Sequence, residues 1–105
     1  MDYVIYEDSI LFNNYFNNEL DKKIINDIKK VSKIIFGNNF NKNVDLLPNN
    51  VKYIKFGFCF NQTVDNLPMS VETLIFGNSF NQKIDFLPCS IKKLKLDISS
   101  SSPIR

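Results

Sequence analysis

The chain has 105 residues, 44% of them apolar and 23% charged, with a formal net charge of +2. That length suits one small domain and is too short for two. The balance is that of a packed protein, not of a disordered polyelectrolyte or a membrane-spanning chain, since no apolar run approaches the ~18 residues a span requires.

Residues 1–10 carry acids where a secretory leader needs bases, so no signal peptide is expected. The first recognisable unit is Ile10-Leu11-Phe12-Asn-Asn-Tyr-Phe16-Asn17, with Glu7 at its polar opening position. Leu20, Ile24 and Ile28 then stand four apart, the spacing of one helix face. A helix over about 19–30 follows, with Asn17 or Asn18 as its cap. Residues 1–30 thus read as a divergent amino-terminal capping coil, as terminal repeats usually are.

Three full copies follow at a spacing of twenty residues. Each opens on a valine: Val31 with Ile34-Ile35-Phe36-Gly37 and Phe40-Asn41, Val51 with Ile54-Lys55-Phe56-Gly57 and Phe60-Asn61, Val71 with Leu74-Ile75-Phe76-Gly77 and Phe80-Asn81. Their second halves match as well: Val44-Asp45-x-Leu47-Pro48, Val64-Asp65-x-Leu67-Pro68 and Ile84-Asp85-x-Leu87-Pro88. A final strand opens at Ile91 and runs through Leu94 and Leu96, so the repeats occupy 31–98. Residues 99–105, with their serine run, are expected to be a mobile tail.

Within a coil, positions 1, 4 and 6 are apolar, and the alternation over 4–6 marks a short strand with one buried face. Gly at position 7 suggests a backbone bend, and Asp-x-Leu-Pro a turn or a single 3-10 turn. Strands recurring once per coil must stack in parallel. Phe12, Phe36, Phe56 and Phe76 then form one column, and Phe16, Phe40, Phe60 and Phe80 a second, an aromatic spine along the core.

The pattern LxxLxFGxxFNQxI..LP, with Phe60-Asn61-Gln62 and Phe80-Asn81-Gln82, resembles the FNIP-type repeat. That family is a branch of the leucine-rich-repeat superfamily found mainly in social-amoeba and giant-virus proteins. The resemblance covers about residues 10–96; the copies have Leu-Pro where the family name has Ile-Pro, and no F-box precedes them. It implies an α/β right-handed curved solenoid with a parallel sheet on its concave face, and a role in binding other proteins.

Chemistry-bearing residues are few. Without histidine, no Ser/His or Cys/His nucleophile can be assembled. No enzyme activity, metal or cofactor is expected. Cys59 and Cys89 belong to no CxxC motif and read as free thiols in a reducing compartment, the cytoplasm, or the host cytoplasm for a viral protein. Asn17, Asn41, Asn61 and Asn81 read as a structural ladder that satisfies the backbone of neighbouring coils. Asp21, Asp45, Asp65 and Asp85 could bind cations as an aligned column, but a carboxylate before a turn more often serves its own backbone.

The outward strand positions remain. Ser9, Leu11, Lys33, Ile35, Lys52, Tyr53, Lys55, Thr73 and Ile75 give a mixed apolar and basic face, with Phe58 at its rim. Lys92, Lys93 and Lys95 follow on the last strand, where lysine also discourages edge pairing. The function expected is a small scaffold that holds a protein partner on this face, by Lys33, Ile35, Lys52, Tyr53, Lys55, Phe58, Thr73 and Ile75. So small a face implies either a small, weakly held ligand or self-association first, and a homo-oligomer, a dimer, is expected. The alternatives are a weak nucleic-acid binder, disfavoured by a net charge of +2 and a lone arginine, Arg105, or a purely structural self-assembling protein.

Overall fold

A computed structural model describes residues 1–97, so the expected tail at 99–105 lies outside the described residues. The elements in chain order are β1 (Tyr3–Tyr6), β2 (Ser9–Phe12), α1 (Lys22–Ile28), β3 (Lys33–Ile35), β4 (Tyr53–Lys55), β5 (Thr73–Phe76) and β6 (Lys93–Leu96). They form one sheet in sequence order, in which β2 to β6 are parallel and β1 is antiparallel to β2. The chain is therefore a solenoid with one strand per coil. In register, Ile10, Ile34, Ile54, Leu74 and Leu94 make one inward row.

Each coil is tied to the next by the same bonds. The Ser32 carbonyl accepts from the N–H groups of Lys52 and Tyr53, the Lys52 carbonyl from Glu72 and Thr73, and the Glu72 carbonyl from Lys92 and Lys93. The aromatic rings stack between coils with interplanar angles of 20° or less. In the column from Phe12 to Phe76, centroids stand 5.1, 5.4 and 5.6 Å apart. From Phe16 to Phe80 they stand 5.9, 6.1 and 6.3 Å apart. Strands pair at about 4.8 Å, so the coils fan open away from the sheet, which lies on the inside of the curve.

Four local readings need correction. The helix is shorter than 19–30, covering Lys22–Ile28, and its cap is Asp21, whose carboxylate accepts the Ile24 N–H at 2.9 Å. Asn17 does not cap it because its side-chain carbonyl is already bonded to the Asn41 N–H. Glu7 opens no coil: it sits in the tight turn between β1 and β2 with φ of 54°. The glycines are not bends in left-handed conformation, for none has positive φ. A Cβ on Gly57 would lie 2.2 Å from the Gly37 carbonyl oxygen, and one on Gly77 would lie 2.3 Å from that of Gly57. Glycine is there because neighbouring backbones touch. Among the described residues, α1 forms the far side of the first coil and turns form that of the later ones, with no 3-10 segment.

Candidate functional site

The coil geometry accounts for most of the polar residues first. Where the coils stand about 6 Å apart, a direct backbone bond no longer reaches, since N–H···O bonds span about 2.9 Å. The asparagine side chain bridges the gap. The side-chain carbonyl of Asn17 accepts the Asn41 N–H, that of Asn41 the Asn61 N–H, and that of Asn61 the Asn81 N–H, each at 2.8 Å. Gln62 and Gln82 donate back to Asn41 and Asn61 of the previous coil, which explains the Phe-Asn-Gln step.

A second ladder escaped the sequence reading. Asn50 donates to the Val31 carbonyl at 2.5 Å, Ser70 to Val51 at 2.6 Å and Ser90 to Val71 at 2.7 Å. Its signal was a small polar residue just before Val51, Val71 and Ile91. The four aspartates do not act alike. Asp21 caps α1, and Asp45 takes a bond from the Asn43 side chain at 3.0 Å. Asp65 and Asp85 are exposed and, among the described residues, make no side-chain bond to their own backbone. Cys59 is half-buried and Cys89 exposed, and both are free. Position 9 is thus a margin, not core.

What the coils leave uncommitted is the outer sheet face. Pairing brings Ser9, Lys33, Tyr53, Thr73 and Lys93 into one row, and Leu11, Ile35, Lys55, Ile75 and Lys95 into the next. The hairpin strand β1 extends both, adding Tyr6 beside Ser9 and Val4 beside Leu11. Neither was expected from the repeats, although the alternation of Tyr3-Val4-Ile5-Tyr6 before an acidic turn carried the signal. Val4, Leu11 and Ile35 make an apolar stripe at the amino-terminal half. The Lys33 ammonium lies 5.9 Å from the Tyr53 ring centroid, and Lys55 pairs with Asp97 at 3.9 Å. Lys52 precedes its strand and stands outside both rows. Phe58, half exposed, borders a shallow depression of about 260 Å³ that also includes Ile35, Lys55 and Asp97.

The electrostatics of the amino-terminal end are set by one cluster. The Tyr3 hydroxyl donates to Asp27 at 2.5 Å, which raises the phenol's pKa and lowers the carboxyl's. Lys23 and Lys30 flank Asp27 at 3.5 and 3.3 Å. Asp8 is likewise held ionised by the Ser32 hydroxyl and N–H. Among the described residues, no three His, Cys, Asp or Glu side chains converge, and no helix is long and apolar enough to cross a membrane.

One parallel strand per twenty-residue coil, an aromatic core and an asparagine ladder define a leucine-rich-repeat-like solenoid. Residues 60–97 match the model of the FNIP Repeat family. A solved structure with the same fold is CroV588, a giant-virus protein described as a novel circular LRR protein. It is 35% identical over 91% of this chain, with a TM-score of 0.65. The chain spans only 18% of that protein's length. No curated protein matches the chain.

Proposed function

We propose that the protein is a small interaction scaffold that holds a protein partner on its outer sheet face, in a self-associated state. The observation that carries this reading is the pair of outer rows. Their side chains are aligned and half exposed, and the coils do not need them. Ile35 and Ile75 offer apolar anchors, Tyr53 an amphipathic one, and Lys33 and Lys55 favour a partner with acidic residues around an apolar centre.

Size supports the self-associated form. Six strands at about 4.8 Å and about 13 Å of strand length give a face well below the ~800 Å² per partner of a stable interface. Two free thiols, Cys59 and Cys89, favour a reducing compartment such as the cytoplasm.

The test is capture of partners by wild type and by Tyr53→Ala/Ile75→Asp. Both positions are half-buried on the outer face, so the variant should keep its far-UV circular dichroism while losing capture. Equal capture by a folded variant would remove the sheet face from consideration.

A further inference from the structure

Among the described residues, the sheet has two unpaired edges, and they differ. At one end β1 pairs only with β2, and Asp2, Glu7 and Asp8 flank it. At the other end β6 pairs only with β5, and its side chains include Lys93 and Lys95, with Lys92 just before it. The two edge strands have equal length, four residues each. Each also exposes inward-facing apolar groups that a neighbour would cover: Ile5 on β1, and Leu94 and Leu96 on β6.

We infer that the self-association under "Proposed function" is head-to-tail: β6 of one copy pairs antiparallel with β1 of the next. Extending the rows across the junction sets Leu94 beside Ile5 of the next copy and Leu96 beside its Tyr3. Lys93 falls beside Tyr6, one step diagonally from Asp8, and Lys92 falls opposite Glu7. Asp97, the acid on the basic edge, is held by Lys55. The occupant is chosen by charge. A two-fold contact through β6 would set the three lysines against their own copies, and one through β1 would do the same to the acids, an arrangement that destabilises cross-strand pairs. A head-to-tail contact matches opposite signs and covers apolar groups on both strands.

This contact is directional, so it does not stop at two copies unless a ring closes. The inference rests on the self-association part of the proposed function and not on the outer face, which stays free in such an assembly.

Two single substitutions test it, each placing an inward-facing charge on an edge strand, a known block to pairing. Leu94→Lys disables the β6 edge and Ile5→Lys the β1 edge. Both side chains are a little under half exposed, and circular dichroism checks that each variant is folded. In sedimentation velocity, wild type should grow with concentration beyond twice its 12.2 kDa. Each variant alone should remain monomeric, and an equal mixture should form a dimer that grows no further. Wild type that stays at monomer mass at high micromolar concentration overturns the inference. So does Ile5→Lys assembling alone, which is the signature of β6–β6 pairing. Either failure leaves capture through Tyr53 and Ile75 as a separate result.

Discussion

The two ends of the solenoid follow the same repeat pattern and meet different fates. At the amino-terminal end, β1 covers one flank of the first coil and α1 closes its far side. Tyr3 packs on Phe12 at 5.1 Å while bonding to Asp27 of the helix. At the carboxyl-terminal end, the same core positions lie open. Leu74 is fully buried while its equivalent Leu94 is 44% exposed, and Val64 is 1% exposed against 47% for Ile84. The amino-acid types hardly differ between these pairs, so burial in this molecule is conferred by the next coil and not by the residue itself. The strand contacts join neighbouring coils, and the Lys55–Asp97 pair reaches across one strand, β5.

The sharpest way to break that contrast is a large-to-small change at each end. Phe12→Ala, under the cap, should cost about 3–5 kcal/mol in chemical denaturation because the ring is lost from a packed stack. Leu96→Ala, on the open edge, should cost less than about 1 kcal/mol in dilute solution. Equal losses would mean that the carboxyl-terminal coil is covered at those concentrations.

The asparagine ladder gives a smaller, parallel contrast. Asn41→Ala strands the Asn61 N–H and releases Gln62, and should cost about 2 kcal/mol. Among the described residues, Asn81 only donates its backbone N–H to the coil before it, a bond that alanine keeps, and Asn81→Ala should fall within about 0.5 kcal/mol. A matched loss at both would show that the ladder's stabilisation comes from solvation of the amides and not from the bonds.

The smallest effect concerns the cap's polar contact. Tyr3→Phe keeps the ring on Phe12 and removes the bond to Asp27, a change of about 1 kcal/mol. Asp27 has its folded pKa held below the ordinary 3.8, first by the Tyr3 hydroxyl and further by Lys30 and Lys23. Its contribution is therefore present above pH 3.8 and is lost as pH falls through the depressed folded value. Tyr3→Phe should flatten that acid slope, whereas a substitution at the open end, such as Leu96→Ala, should leave it unchanged. An unaltered slope in Tyr3→Phe would assign the shift to the lysines.

The coil was legible because its demands recur. Phe at positions 6 and 10 and Asn at 11 each answer a contact made once per turn, and repetition lifts them above the background. The residues that serve only once were not. Asp21 looks like the other turn aspartates, and its role as a helix cap depends on four inserted residues that no other coil has. Tyr3, Val4 and Tyr6 belong to a strand with no counterpart in the repeat, so the outer face was read too narrow. The glycine column was located correctly and explained wrongly, because a close approach between backbones leaves no trace in the residues it touches. Asp65 and Asp85 repeat without repeating a bond.

One consequence of the coil-to-coil bonding reaches past this chain. Coil-to-coil backbone bonds join matching stretches of adjacent units at repeating offsets, as in Lys52 to Ser32, Glu72 to Lys52 and Lys92 to Glu72, so whole units can be excised or duplicated with these partnerships re-formed by homologous residues. Gain or loss of a single residue inside a unit would instead shift rings, amides and glycines together out of alignment. Such a molecule tolerates a change of length in steps of one full turn and resists it at any finer grain. The first interval, four residues longer, lodges its surplus in α1, outside the stack.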